Sequence, residues 1–338
     1  MLYVVLFFLA FSLLLYVLLA GADFGAGIIE QFSSKHNRTL TKKTIYRVIG
    51  PVWEANHIWI IIVIVILWVG FPGFYNILMV YLHIPLTLIL LGITLRGVAF
   101  VFRHYDAYKD KTQLLYDWMF RVSSVVTPIF LGVTFGGLIS GDIEITANLE
   151  NTNFYSAYIA SWFNLFSLFV GFFFAGICAF LASIMLIGEA NKTERRLYVK
   201  KARIATITVI ILGFLVLAVG FVQEKVFVLS FFKNPYAIGL IVFSALLILP
   251  LLNSIKNERR IITRALAGLQ VILILLAAFV THFPDIIITT NGSVNILETV
   301  ATNQVIKVLG IALIIGGAII LPGLFHLMKS FKMIKILE

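Results

Sequence analysis

Long apolar runs recur from one end of the chain to the other, and they limit what it can fold into more than any other feature. A helix of about 20 apolar residues crosses the hydrocarbon of a bilayer, and in lipid such a helix pairs its own backbone N–H and C=O groups. Read as helices, the runs lie at roughly 2–30, 51–71, 75–103, 114–139, 157–188, 203–223, 236–254, 262–281 and 305–328. The composition agrees. Of 338 residues, 61% are hydrophobic and 12% charged, with a mean hydropathy of +1.02; soluble domains are about 45–50% apolar and about 25% charged. The chain is expected to be an all-α integral membrane protein of about nine transmembrane helices.

A formal net charge of +10 can mark a nucleic-acid partner, but the basic residues form no single stripe, so none is expected here. They gather in short clusters between apolar runs: Lys35, Arg38, Lys42, Lys43 and Arg47; Arg103, Lys109 and Lys111; Lys192, Arg195, Arg196, Lys200, Lys201 and Arg203; Lys256, Arg259, Arg260 and Arg264; Lys329, Lys332 and Lys335. The opposite loops carry only Lys225, Lys233 and Lys307, with Asp142, Glu144, Glu150, Asp285 and Glu298. Basic loops stay in the cytoplasm, so the N-terminus is expected outside and the C-terminus inside, a parity that nine spans satisfy. The first run has no basic n-region and is read as a retained helix rather than a signal peptide. The same alternation divides the chain into a first four-helix bundle (1–140) carrying the acidic motifs, a second bundle (141–281), and an outer loop with a ninth, peripheral helix (282–338). The two longer outer loops, near 140–156 and 282–304, are expected to pack over the outer surface.

Ionisable groups inside a membrane are expensive and need a partner or a role. Asp23 lies in GADFGAG, among glycines that let another helix approach closely. Glu54 and His57 lie in GPVWEANHIW, with Trp53, Asn56 and Trp59 around them, and Arg96 lies in LRGVAFVFR. Glu54 reads in two ways: as a first-turn charge complementing the dipole of a helix that starts at Pro51, or with His57 at i+3 as a proton relay. Asp23 reads as a structural ion pair, with Arg96 or the Glu54 region as its partner, or as part of a proton path. Arg103, one heptad beyond Arg96, is expected to snorkel to the interface, and Asp117 to pair with Arg121 at i+4. Cys178 reads as a buried small hydrophobe. No metal motif or P-loop appears, and the six histidines form no pattern expected to hold haem.

At these motifs the chain resembles subunit II of the bacterial cytochrome bd quinol oxidase. GADFGAGII is similar to the family's GFD-x-G-x-G, GPVWEANHIW to WDGN-x-VW, and RGVAFVFR to RGVAFEFR; Asp117-Trp118 and the FGG at 135–137 also fit. The resemblance implies a multi-pass protein of the bacterial cytoplasmic membrane, paired with a subunit I that carries haem b and haem d and the quinol site. It leaves room for a small single-span third subunit. The implied complex oxidises quinol, reduces dioxygen to water and builds a proton gradient. This chain is then the accessory subunit, contributing scaffold and part of a cytoplasmic proton route, and some members also bind a quinone in it. Asp23 and Glu54 match the family's two acids; Arg96, Asn56, Trp53 and Trp59 are read as structural or pathway support around them. Glu54 replaces the usual Asp, Ala55 the Gly, His57 a Glu or Gln, and Val101 the acid of RGVAFEFR. Without the resemblance, a proton-coupled secondary transporter is the competing reading, but Pro85, Pro128 and Pro250 do not fall at corresponding places in two repeats. A purely structural assembly partner is the third.

Overall fold

The computed structural model describes residues 1–50, 53–105, 111–146, 153–189, 192–257 and 259–330. Pro51, Lys109, Glu150, Lys332 and Lys335, each used above, lie outside them. Among the described residues nine helices are long and apolar enough to cross a membrane: α1 Leu2–Gln31, α2 Trp53–Gly70, α3 His83–His104, α4 Thr112–Ile139, α5 Leu165–Gly188, α6 Glu194–Val222, α7 Pro235–Lys256, α8 Arg260–His282 and α9 Asn303–Leu327. The chain is thus a multi-pass membrane protein.

Where the helices depart from the apolar runs, local chemistry gives the reason. The third run is split into Pro72–Tyr81 and α3, with Leu82 out of helical geometry between them. Pro85 has no N–H to continue the ladder and disfavours helix at the residue before it, so it suits only the first turn of a new helix. Pro250 sits in the same way beside the break at Leu247, inside α7. The fifth run begins only at Leu165, because the Asn164 side chain accepts the Ser167 N–H at 2.8 Å and starts a helix there. The basic segment after α1 forms the helix Lys35–Ile49 rather than a plain loop. It turns Thr41, Thr44 and Ile45 inward and keeps Lys43 and Arg47 exposed.

The centre of the molecule is built from α4, α5 and the second half of α1. The first half of α1 buries only Val5 and Ser12. A single π turn at Tyr16–Ala20 then shifts the register, and every residue from Gly21 to Glu30 is buried. A Cβ at Gly25 would overlap the Cys178 carbonyl of α5, and one at Gly27 would overlap Ser124 of α4; only glycine lets the three backbones come this close. The ninth helix packs against α1 and α2.

On the opposite side, residues 285–295 form an antiparallel hairpin, β1 Asp285–Thr289 with β2 Gly292–Asn295. A two-residue turn, Thr290-Asn291, joins the strands, and Gly292 pairs with Thr289 at the start of β2. Ile287, Ile288 and Ile296 are buried beside Phe71, Trp162 and Phe227, so this loop does pack onto the helix ends. The segment after α4 meets this hairpin through a bridge between Ile143 and Thr289, and its Asp142 forms an ion pair with Lys225 at 2.7 Å. Between α5, α6, α7 and α8 lies an apolar cavity of about 390 Å³, whose few polar neighbours include Thr206, Ser244 and Gln270.

Candidate functional site: a buried polar column between α1, α3 and α4

GADFGAG places its acid on the innermost part of α1, where Asp23 is fully buried. Its partner is Arg96 of α3, itself 1% exposed. Arg96 Nη1 donates to Asp23 Oδ2 at 2.6 Å, and Nη2 donates to Oδ1 and to the Asp23 carbonyl, both at 2.8 Å. Nε donates to Ser124 Oγ at 3.0 Å. The guanidinium lies over the rings of Phe24 (5.1 Å) and Phe120 (4.8 Å). All three kinds of Arg96 nitrogen are engaged, the condition under which a desolvated pair can hold.

Seven residues on, the pattern repeats. Arg103 Nη2 donates to both oxygens of Glu30, at 2.9 and 3.0 Å, and its guanidinium lies 4.3 Å from the Phe120 centroid. Phe120 thus offers its ring to both guanidiniums. At 1.5 Å per residue the two ion pairs stand about 10 Å apart along the helices. Arg103 therefore does not snorkel: it is 5% exposed, because Glu30 supplies a buried countercharge. Asp117 does not take Arg121 as its partner either. Lys42, from the helix Lys35–Ile49, donates to Asp117 Oδ1 at 2.6 Å, and Arg103 Nε lies 3.1 Å from the same oxygen. The i+4 rule describes isolated helices, and here two cations arrive from other elements, Lys42 donating a hydrogen bond and Arg103 adding its charge.

His57 joins the upper pair. Its Nε2 is 3.7 Å from Asp23 Oδ2, and its ring lies 5.6 Å from Phe24 and 6.1 Å from Tyr16. Its Nδ1, the Tyr16 hydroxyl, Trp59 Nε1 and Ser12 Oγ are all buried without a hydrogen-bond partner, so this stretch has polar atoms ready for ordered water.

The model of the cytochrome bd terminal oxidase subunit II family matches residues 1–331. The chain belongs to that family. Curated relatives include the cytochrome bd ubiquinol oxidase subunit 2 of Bacillus subtilis strain 168, 28% identical over 184 residues, which are 53% of this chain and 52% of that protein. The cytochrome bd-I ubiquinol oxidase subunit 2 of Escherichia coli K12 is 26% identical over 121 residues, 36% of this chain and 31% of that one. These matches span about half or less of the relatives' own length. The solved structure of bd oxidase from Geobacillus thermodenitrificans has the same fold, with a TM-score of 0.76 at 16% identity, covering 98% of this chain and 100% of that one.

In this subunit II chain, the residues singled out in the sequence divide between two faces of α2. His57, Asn56 and Trp59 turn inward; Asn56 and Trp59 are 6% and 4% exposed. Trp53 packs its ring 5.1 Å from Phe100. Glu54 turns the other way and is exposed, so the expected Glu54–His57 contact gives way to His57–Asp23. Glu54 heads a stripe with Ile58, Ile61, Val65 and Trp68, all exposed at helical spacing.

Two of the histidines are already engaged within the chain: His57 Nε2 faces Asp23, and His104 is stacked on Tyr46 at 4.2 Å with Phe100 at 4.6 Å.

Glu30, Lys42, Tyr16 and Ser12 are site residues that the sequence reading missed. Only Glu30 carried a usable signal. It lies one heptad after Asp23 just as Arg103 lies one heptad after Arg96, and the two repeats together call for two pairs.

Proposed function

We propose that this chain is the accessory subunit of a cytochrome bd-type quinol oxidase, assembled with a haem-bearing subunit I, and that its polar column helps protons reach the reaction from the cytoplasm. The observation that carries the proton role is the fully buried Asp23–Arg96 pair with His57 alongside, next to unpartnered polar atoms in an otherwise apolar interior. Both Asp23 oxygens are engaged by Arg96, which casts Asp23 as the fixed anion of the site. His57 is the group free to exchange protons: its Nδ1 can receive one from water, while its Nε2 faces the carboxylate that stabilises the charged ring. Glu54 is then the intake, on the stripe of α2 that subunit I would cover, because a carboxylate on an apolar membrane face needs a polar neighbour. Quinol oxidation and reduction of dioxygen to water belong to the assembled complex, with haem b and haem d in subunit I. A bound quinone would find apolar room in the cavity between α5 and α8, next to Gln270.

In the intact complex, Glu54→Gln and His57→Leu are expected to lower quinol oxidase turnover by about a hundredfold, the lower end of the range for loss of a proton-transfer group, at normal haem content. Normal turnover and proton uptake in Glu54→Gln would leave Glu54 as a helix-end charge and remove the relay.

The orientation follows the basic clusters: N-terminus outside, C-terminus in the cytoplasm of a bacterial cell. A reporter fused after Glu338 should be cytoplasmic, and Glu144→Cys should react with an impermeant thiol reagent from outside. Outside reactivity at the C-terminus would reverse the assignment.

A further inference from the structure

The lower end of the polar column holds more positive charge than it pairs. Arg38 and Lys42 from the helix Lys35–Ile49, Arg103 from α3 and Arg121 from α4 stand around two carboxylates, Glu30 and Asp117. Lys201 of α6 also lies near Glu30, so five cations against two anions leave three positive charges in excess.

The hydrogen bonding shows the same surplus. Arg103 is 5% exposed and gives Nη2 to Glu30, but its Nη1 has no acceptor. The buried Nε atoms of Arg38 and Arg121 have none either. Arg38 otherwise makes only long contacts, 3.4 Å, to the Gln31 and Ser33 carbonyls. Among the described residues Arg121 has no hydrogen bond or ion pair, and both Arg38 and Arg121 remain half-exposed. Guanidinium donors left without acceptors at a low-dielectric boundary are costly, and their planar fork matches a phosphate group. Glu30 and Arg103 are the next-to-last residues of α1 and α3, so the cluster lies where lipid phosphates lie, on the side that carries the basic loops.

We propose that Arg38, Arg103 and Arg121 form a binding site for a phosphate-bearing anion, either the headgroup of an acidic phospholipid or a soluble phosphate. The anion supplies the missing negative charge, approaching the half-exposed Arg38 and Arg121 with Arg103 behind them. The site is separate from the Asp23–His57 pair and does not depend on the proton role assigned there.

The test uses the full chain, in its complex where it forms, in nanodiscs of phosphatidylcholine. One series adds phosphatidylglycerol, another adds inorganic phosphate, and the thermal midpoint is followed. A saturable rise with phosphatidylglycerol alone identifies a lipid headgroup, and a rise with inorganic phosphate identifies a soluble anion. Arg38→Gln and Arg121→Gln are each expected to weaken the response about fivefold, the effect of one basic residue near a membrane surface. Arg196→Gln, an exposed residue on the same side, should leave it unchanged. Arg38 lies on the short interfacial helix, so its variant reports even if Arg121→Gln does not fold. Native mass spectrometry of the unaltered chain should also retain phosphatidylglycerol if the occupant is lipid. No rise with either anion, or an undiminished rise in both arginine variants, would overturn the proposal.

Discussion

Arg96→Met is expected to destabilise the protein by about 3–5 kcal/mol, the usual penalty for stripping one partner from a buried ion pair. Asp23 would be left fully buried with only a histidine nitrogen at 3.7 Å, and Ser124 would lose its donor. Removing both charges, in Asp23→Leu with Arg96→Met, should recover much of that loss, because the apolar pair leaves no charge stranded. Lys42→Met provides the contrast. The Lys42 and Asp117 side chains are 25% and 21% exposed, and a solvent-screened pair of this kind is worth about 0–1 kcal/mol. Thermal unfolding of the purified variants in one detergent measures all three. Equal losses for Arg96→Met and Lys42→Met would mean that the upper pair is hydrated rather than buried.

The second large effect belongs to Gly25. Valine there drives its Cβ into the Cys178 carbonyl and the Ala182 side chain, and since the obstacle is backbone, α1 and α5 must separate. About 3 kcal/mol or more is expected, the upper range for overpacking a close interface, together with a lower yield of folded protein. Gly268→Ala, on α8 with nothing within 4 Å of the added carbon, should instead be neutral or stabilising by up to about 1 kcal/mol. Gly25→Val melting like the parent would show that α1 and α5 are not held this tightly. The same displacement would move Asp23, two residues earlier, away from Arg96, so stability and the polar column should fail together.

Much of the fold could be read from the sequence because lipid leaves few choices: an apolar run of sufficient length becomes a helix, and nine runs became nine spans among the described residues. The breaks at Leu82 and Leu247 carried a signal in Pro85 and Pro250, but hydropathy alone joins such segments because both halves are apolar. The hairpin at 285–295 carried a signal in the isoleucine run 286–288 followed by Thr290-Asn291-Gly292, but so short a pattern does not separate a strand pair from a loop. The column was half legible. Asp23 and Arg96 lie deep in apolar runs and demand each other. Glu30 and Arg103 lie at run ends, where a charge ordinarily reaches water, and only their pairing across two helices shows that they are buried. The opposite facing of Glu54 and His57 was beyond the sequence, since residues three apart on α2 can share a face or straddle its edge depending on where α1 packs.

The account's central claim is that this subunit II chain works beside a haem-bearing partner. Affinity purification of the tagged chain from its native membranes, followed by a reduced-minus-oxidised spectrum, tests it most directly. The prediction is a complex containing a second large membrane chain, with b- and d-type haem bands that disappear when the partner is stripped away. Recovery of the chain by itself without haem, or with stoichiometric haem remaining on the isolated chain, would contradict it.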